Sequence, residues 1–479
     1  MTTGTPAAAR PSGSPTAPLT RPAAARRIAV SAPLALTVGC ALLVVLLGRV
    51  GGDARWLGVL GRIVATTRRI PDGIPFADAP TAGWHNVPVL AELLLSGPQA
   101  LGGDRGLLLV QALAVLTALL VLVRDARRAG APDRATTAVL ALVALAGCTS
   151  LLIVRLQLFS LVLLPLELLL LRAQTRRPTG QLWWLVPLLA LWSNLHGAAL
   201  LGLAVAIAYL LLERARQRPR ESALVGLACA ASLFLTPALA GTASYYLAAL
   251  GNESARQHLG LWARLSWHSP FDVALVVVLL ALLPAVRRSR PRLWEYAVLL
   301  GLAAATAQTA RNGIWLLLAL VVPAATGWSA GRPAAPSRPA PARGAAGVVS
   351  VLGVIGVVAL AVTVLSLRHG RLDPPPLVAA AVTAAAGRPV AAEGVLSEQV
   401  VAAGGQVWVT NPLDAFSRAD QHRFLTWSAT GRTDLLPASA PVTLVNAGGP
   451  AARALARDGR FRLLRADRTC ALYVRVPPG

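Results

Sequence analysis

Residues 181–213 read QLWWLVPLLALWSNLHGAALLGLAVAIAYLLLE, an apolar run broken near its centre by Ser193, Asn194, His196 and Gly197. It is either one very long helix or two spans joined by a tight turn. The flanking charges decide. Arg172, Arg176 and Arg177 precede the run; Arg214, Arg216, Arg218 and Arg220 follow it. Basic loops stay on the inner side of a membrane. One crossing would leave one cluster outside, whereas two crossings with an outer turn at His196 keep both inside.

The same rule extends along the chain. The N-terminal tail carries Arg10, Arg21, Arg26 and Arg27. Later basic loops hold Arg124, Arg127, Arg128 and Arg134, then the two clusters above, then Arg287, Arg288, Arg290 and Arg292, then Arg332, Arg338 and Arg343. A span needs ~20 apolar residues. The candidates run over 28–50, 105–123, 135–154, 156–171, 181–195, 197–213, 222–240, 271–286, 293–309, 313–328 and 346–367. With these limits every second loop is basic, beginning with the tail.

The expected fold is an all-α polytopic membrane domain of about eleven transmembrane helices, N-terminus in and C-terminus out. A small α/β extracytoplasmic C-terminal domain follows. Residues 1–27 read as a disordered cytoplasmic tail rich in Ala, Pro, Ser and Thr. The membrane core is 28–328 with an outer loop at 51–104, followed by a Pro/Ala-rich cytoplasmic linker (329–345), a last span (346–367) and the outer domain (368–479). Short β-like runs support that last unit: Gln406–Thr410, Val442–Val445 and Ala471–Val476, with a helix-like stretch at 450–457.

Composition agrees. The 479 residues are 55% hydrophobic, with a mean hydropathy of +0.60, and a soluble chain of this length keeps more polar surface. The formal charge of +24 comes from 45 arginines and no lysine. These lie in short loops between apolar runs, so no nucleic-acid partner is expected. Cys40, Cys148, Cys229 and Cys470 form neither a disulfide framework nor a zinc motif. The P-loop and the HExxH helix are missing from the sequence.

The remaining polar residues gather on the outer side. The first outer loop holds Asp53, Arg55, Arg62, Asp72, Asp78, His85, Asn86 and Glu92. The tight turns hold Arg155 with Gln157, Asn194 with His196, and Arg311 with Asn312. Ionisable groups at membrane depth are costly and usually face an interior cavity. Arginine's planar fork matches phosphate oxygens, and a carboxylate serves as base for a hydroxyl or as ligand for a divalent metal, Mg or Mn. Plainer roles stand beside each. Asp53 could cap a helix, Asp78 could shape the turn after Pro75, and Arg155 and Arg311 could snorkel. Asn194 and His196 could satisfy a helix break, Glu92 could lie on a solvated face, and Glu167 could pair with Arg172.

Several segments occur in a familiar order: Asp53-Ala-Arg-Trp56, Gly61-Arg62-Ile63, Gly73-Ile-Pro-Phe-Ala-Asp78, Trp84-His-Asn86 and Leu90-Ala-Glu92. Then come Arg155-Leu-Gln-Leu-Phe-Ser160, Leu191-Trp-Ser-Asn-Leu-His-Gly197 and Ala310-Arg-Asn-Gly313. In that order they resemble a group of bacterial multi-pass proteins similar to the glycosyltransferase C superfamily, whose members use polyprenyl-phosphate-linked sugars. The resemblance covers about residues 50–325. It implies a membrane glycosyltransferase of the cell envelope, moving a sugar from a polyprenyl-phosphate donor to an envelope acceptor at the outer face. It also implies that the catalytic acid lies in the first outer loop, often one of two adjacent acids; here Asp53 and Asp78 stand apart, and Asp53 lies nearer the expected position.

The site expectation follows. Asp53 or Asp78 is catalytic, and Arg155 and Arg311 hold the donor phosphate. His85, Asn86, Glu92, Gln157, Asn194, His196 and Asn312 orient substrate. The metal is left open, as is the oligomeric state. The expected partners are the lipid bilayer and a polyprenyl-phosphate-linked sugar. The alternative is a non-catalytic lipid-linked glycan flippase or envelope-assembly membrane protein, which requires a polar path between both faces.

Overall fold

The computed structural model describes residues 1–4, 31–329 and 376–476. Most of the expected tail and linker, and the span at 346–367, lie outside the described residues. In hydrocarbon each backbone N–H and C=O must be satisfied within its own segment, which makes the apolar runs helical. The first are α1 (Ala32–Leu47), α2 (Ala54–Thr67) and the long α3 (Val89–Arg128), whose helical backbone breaks at Gly103. Next are α4 (Asp133–Ala146), α5 (Cys148–Leu152), α6 (Leu158–Arg176), α7 (Leu185–Ser193) and α8 (Ala199–Tyr209). α9 (Pro219–Ser232), α10 (Gly241–Leu250), α11 (Glu253–Arg256), α12 (Pro270–Ser289), α13 (Leu293–Gln308) and α14 (Gly313–Ser329) complete the bundle.

Among the described residues, four helices are long and apolar enough to cross a membrane: Val89–Arg128, Leu158–Arg176, Pro270–Ser289 and Ala310–Trp328. The protein is thus a helical membrane protein. The run at 181–213 is two helices, α7 and α8, with Asn194 and His196 in the turn between them. α7 and α8 are shorter than the runs the sequence marked out, at 9 and 11 residues.

α6 and α14 define the two ends of the bundle. Arg155 precedes α6 and Arg311 precedes α14, so both arginines sit where these helices begin. α6 has 19 residues, about 28 Å at 1.5 Å per residue. Near its far end Arg172 donates to Glu295 from Nε and to Asp125 from Nη1, both at 2.8 Å, and to the Ala319 carbonyl from Nη2 at 3.2 Å. This network ties α6 to α3, α13 and α14. It also corrects the pairing expected for Glu167, since Arg172 pairs with Asp125 and Glu295 and neither Glu167 oxygen has a hydrogen-bond partner among the described residues.

Residues 376–476 form a small unit around a four-stranded sheet. Its helices are α15 (Leu377–Ala385), α16 (Gly394–Ala402), α17 (Arg418–Thr430) and α18 (Pro450–Arg457). Its strands are β3 (Val390–Ala392), β4 (Val442–Asn446), β5 (Phe461–Ala466) and β6 (Cys470–Arg475), in the order β3-β4-β6-β5. β3 and β4 are parallel; the other pairs are antiparallel. The run Gln406–Thr410 is not a regular strand. Val407 instead bridges both Ala77 and Val390, so this segment joins the first loop to the sheet.

Candidate active site

The site starts from two very short strands, β1 (Arg49–Val50) and β2 (Ile153–Val154). They pair in parallel, Arg49 against Ile153 and Val50 against Val154, and the Gly51 N–H extends the ladder to the Val154 carbonyl at 3.1 Å. Paired strands lie ~4.8 Å apart. Asp53 and Arg155, which leave the two strand ends, are thereby brought together. Gly51 is required here, because a Cβ would run into the Ile153 side chain and stand 3.3 Å from Arg155 Nε.

Asp53 precedes α2 with φ 94° and ψ −40°, a sparsely populated backbone region for a non-glycine residue. Its side chain makes no cap bond to α2. Burial raises its carboxyl above the ordinary value, while Arg155 and Arg311 pull it back. Both arginines therefore lie close enough for their charges to act on Asp53. Neither one donates a hydrogen bond or closes an ion pair within 4 Å among the described residues, and Arg155 Nε is buried without a partner. Arg311 stacks its guanidinium over the Trp262 ring, 3.7 Å from the centroid. Stacking leaves the N–H edge of the fork open. Two half-buried guanidiniums with unused donors form a site for an anion.

His196 completes this side. Trp192 Nε1 donates to Ser160 Oγ at 2.7 Å, and Ser160 Oγ lies 2.6 Å from His196 Nδ1. An indole N–H can only donate, and the buried Ser160 hydroxyl has no other acceptor among the described residues, so it gives its proton to Nδ1. His196 is then a neutral imidazole with its proton on Nε2. Burial, aided by Arg311, pushes its pKa down to about 3. Tyr245 lies beside the same turn: a Cβ on Gly197 would sit 3.4 Å from its hydroxyl.

The other residues singled out in the sequence fall in different places. Asp78 is exposed, and its carboxylate accepts from Ser439 at 2.6 Å, away from the Asp53 group. Asn194 Nδ2 donates to the Ala190 and Leu235 carbonyls, Asn312 Nδ2 to Ala305, and Gln157 Nε2 to Ser150. These amides satisfy helix ends. Asn86 and Glu92 form a buried pair at 3.0 Å, leaving Asn86 Oδ1 and Glu92 Oε1 without partners. His85 is exposed, with its ring against Gly241.

Sequence reasoning missed three groups. Glu398, on α16, is wholly buried and accepts the Asp53 N–H with both carboxylate oxygens at 2.9 Å. Asp414 accepts from Trp84 Nε1 at 3.2 Å and feels the charge of Asp53. Trp262 supports Arg311 from the loop before α12. All three lie far from Asp53 in sequence. Among the described residues no three His, Cys, Asp or Glu side chains gather to hold a metal ion. Glu398 and Asp414, the carboxylates nearest Asp53, are already engaged by N–H donors.

No family model matches the chain, and no curated protein sequence does. Solved structures do match. ArnT from Cupriavidus metallidurans, bound to undecaprenyl phosphate, aligns with a TM-score of 0.57 over 93% of this chain and 97% of its own, at 13% identity. The apo form of ArnT aligns with a TM-score of 0.50 over 92% and 97%, at 14% identity. The arabinofuranosyltransferase AftD from Mycobacteria aligns with a TM-score of 0.52 at 15% identity, over 92% of this chain and 41% of AftD. This chain thus spans about two fifths of AftD's length. At such identities the likeness is one of fold: this chain shares the fold of ArnT and AftD.

Proposed function

We propose that the protein is a membrane glycosyltransferase that moves a sugar from a polyprenyl-phosphate donor to an envelope acceptor at the outer face. The observation that carries this is the pair of half-buried arginines, Arg155 and Arg311, close to Asp53 with their hydrogen-bond donors unused. ArnT, which shares the fold, binds undecaprenyl phosphate, and a lipid phosphate is the anion we assign to these arginines. The C-terminal unit then sits outside, with the basic loops within.

The acceptor hydroxyl gives its proton to the Asp53 carboxylate and attacks the anomeric carbon. The bond from that carbon to the phosphate oxygen breaks, and its electron pair leaves with the polyprenyl phosphate. Arg155 and Arg311 stabilise the charge that gathers there, and the His196 Nε2–H adds a neutral donor. Attack opposite the leaving group inverts the sugar.

The test uses purified protein and a panel of radiolabelled undecaprenyl-phosphate sugars, with water or a sugar as acceptor. Asp53→Asn should abolish sugar release while undecaprenyl phosphate still binds. Full activity in that variant would remove Asp53 from the chemistry. Failure of wild-type protein both to bind undecaprenyl phosphate and to consume any donor would overturn the assignment.

A further inference from the structure

We propose that Glu398 is a positioning residue for Asp53, a carboxylate clamp on the Gly52–Asp53 peptide that makes the C-terminal unit part of the transfer site. This rests on the reading of Asp53 as the acceptor's base.

Both Glu398 oxygens lie 2.9 Å from the Asp53 nitrogen. Asn411 Nδ2 fixes one of them, donating to Oε1 at 2.7 Å. The approach is so close that a Cβ at Gly52 would sit 3.2 Å from Oε1 and 3.3 Å from Asn411 Nδ2. Glycine at 52 thus makes room for a side chain 346 positions away, at 398. A non-glycine residue at φ 94° persists only where its surroundings over-determine it. The β1–β2 ladder holds the chain as far as Gly51, and Glu398 holds the Asp53 N–H two residues on. Releasing that N–H frees the peptide to rotate, and the Asp53 carboxylate swings away from Arg155 and Arg311.

A purely docking role for Glu398 is the rival account. Docking has its own contacts elsewhere, however. Val407 bonds to Phe76 and Asp78 through the backbone, Ala79 bonds to Trp408, and Ser439 bonds to Asp78. None of these touches Asp53, so the two roles separate by mutation.

The experiment combines amide hydrogen exchange over the peptide Gly51–Trp56 with kinetics of sugar release from an undecaprenyl-phosphate sugar. Glu398→Ala and Asn411→Ala should lose protection in that peptide. Glu398→Ala should also lower kcat about tenfold or more with KM for donor unchanged. Glu398→Gln keeps one acceptor oxygen and should stay within about threefold of wild type. Ser439→Ala, a docking contact, should change neither readout. Unaltered protection in Glu398→Ala, or an equal fall in Ser439→Ala, overturns the clamp. If wild-type protein releases no sugar, the transfer reading fails while hydrogen exchange still decides the clamp. If Glu398→Ala does not fold, the exchange of Asn411→Ala and the rescue by Glu398→Gln decide it.

Discussion

Ser160 holds His196 in one tautomer: its Oγ lies 2.6 Å from Nδ1 while it accepts the Trp192 indole N–H. His196 is therefore a fixed hydrogen-bond donor through Nε2 and not a base. With a pKa pushed to about 3, it stays neutral across the working range. The rate of sugar release should show no inflection near pH 6.5, the ordinary histidine range. Ser160→Ala should lower kcat about tenfold, since Nδ1 and the indole both lose a buried partner. A wild-type inflection near pH 6.5 that disappears in His196→Gln would show the imidazole titrating and rule out this account.

Asp53 should set the acid limb of the pH–rate profile. Only the ionised carboxylate accepts a proton, so activity falls as pH drops through its pKa. Burial raises that pKa, so the limb should lie above the ordinary aspartate value of ~3.9. Arg155 lowers it, so Arg155→Ala should move the limb to higher pH. The measurement is log kcat/KM against pH for both proteins. A limb that moves to lower pH in Arg155→Ala would contradict the assignment of Asp53 as base.

Lysine should not replace either arginine. A guanidinium offers two parallel N–H groups to a phosphate and stacks on an aromatic ring, whereas an ammonium does neither as well. Arg311→Lys loses the stacking on Trp262 as well as the fork. Each Lys variant should weaken undecaprenyl phosphate binding about tenfold in detergent, as expected for the loss of one charge-assisted hydrogen bond. Binding at wild-type strength in both variants would mean that the phosphate sits elsewhere.

The legible parts of the sequence were those set by solvent. The apolar runs and the two-helix reading of 181–213 follow from hydrocarbon chemistry and arginine placement, and the helices α7 and α8 lie as that reading requires. Asp53, Arg155, His196 and Arg311 stood out because each is polar at the end of an apolar run, and the structure brings these four together. Asn194 and Asn312 carried the same signal for a different reason, since an amide at a helix end also satisfies free carbonyls. Glu398 gave no signal. It stands on a short helix, Gly394–Ala402, whose pattern looks like that of any small soluble domain. Its importance comes from tertiary docking, which a linear reading does not contain. Asp78 carried the same signal as an acid of the first long loop, but its carboxylate accepts from Ser439 of the C-terminal unit.

Glu167 separates the transferase from the flippase. It lies within α6, between Ser160 and Arg172, wholly buried, and neither carboxylate oxygen has a hydrogen-bond partner among the described residues. An ionisable group at that depth is either a costly passenger or a stepping stone in a polar path. The transferase reading needs chemistry at one end of the bundle only, so Glu167 is dispensable to it. Glu167→Leu replaces an unsatisfied polar group by an apolar one of similar size. It should stabilise the protein by about 1–3 kcal/mol, seen as a higher thermal midpoint in detergent, and should leave sugar release unchanged. A flippase would use Glu167 to carry polar cargo between the faces. In that case Glu167→Leu would abolish transport of a fluorescent lipid-linked sugar across proteoliposomes, whatever its effect on stability. Wild-type sugar release in a stabilised Leu variant, with no transport by either protein, fits only the enzyme.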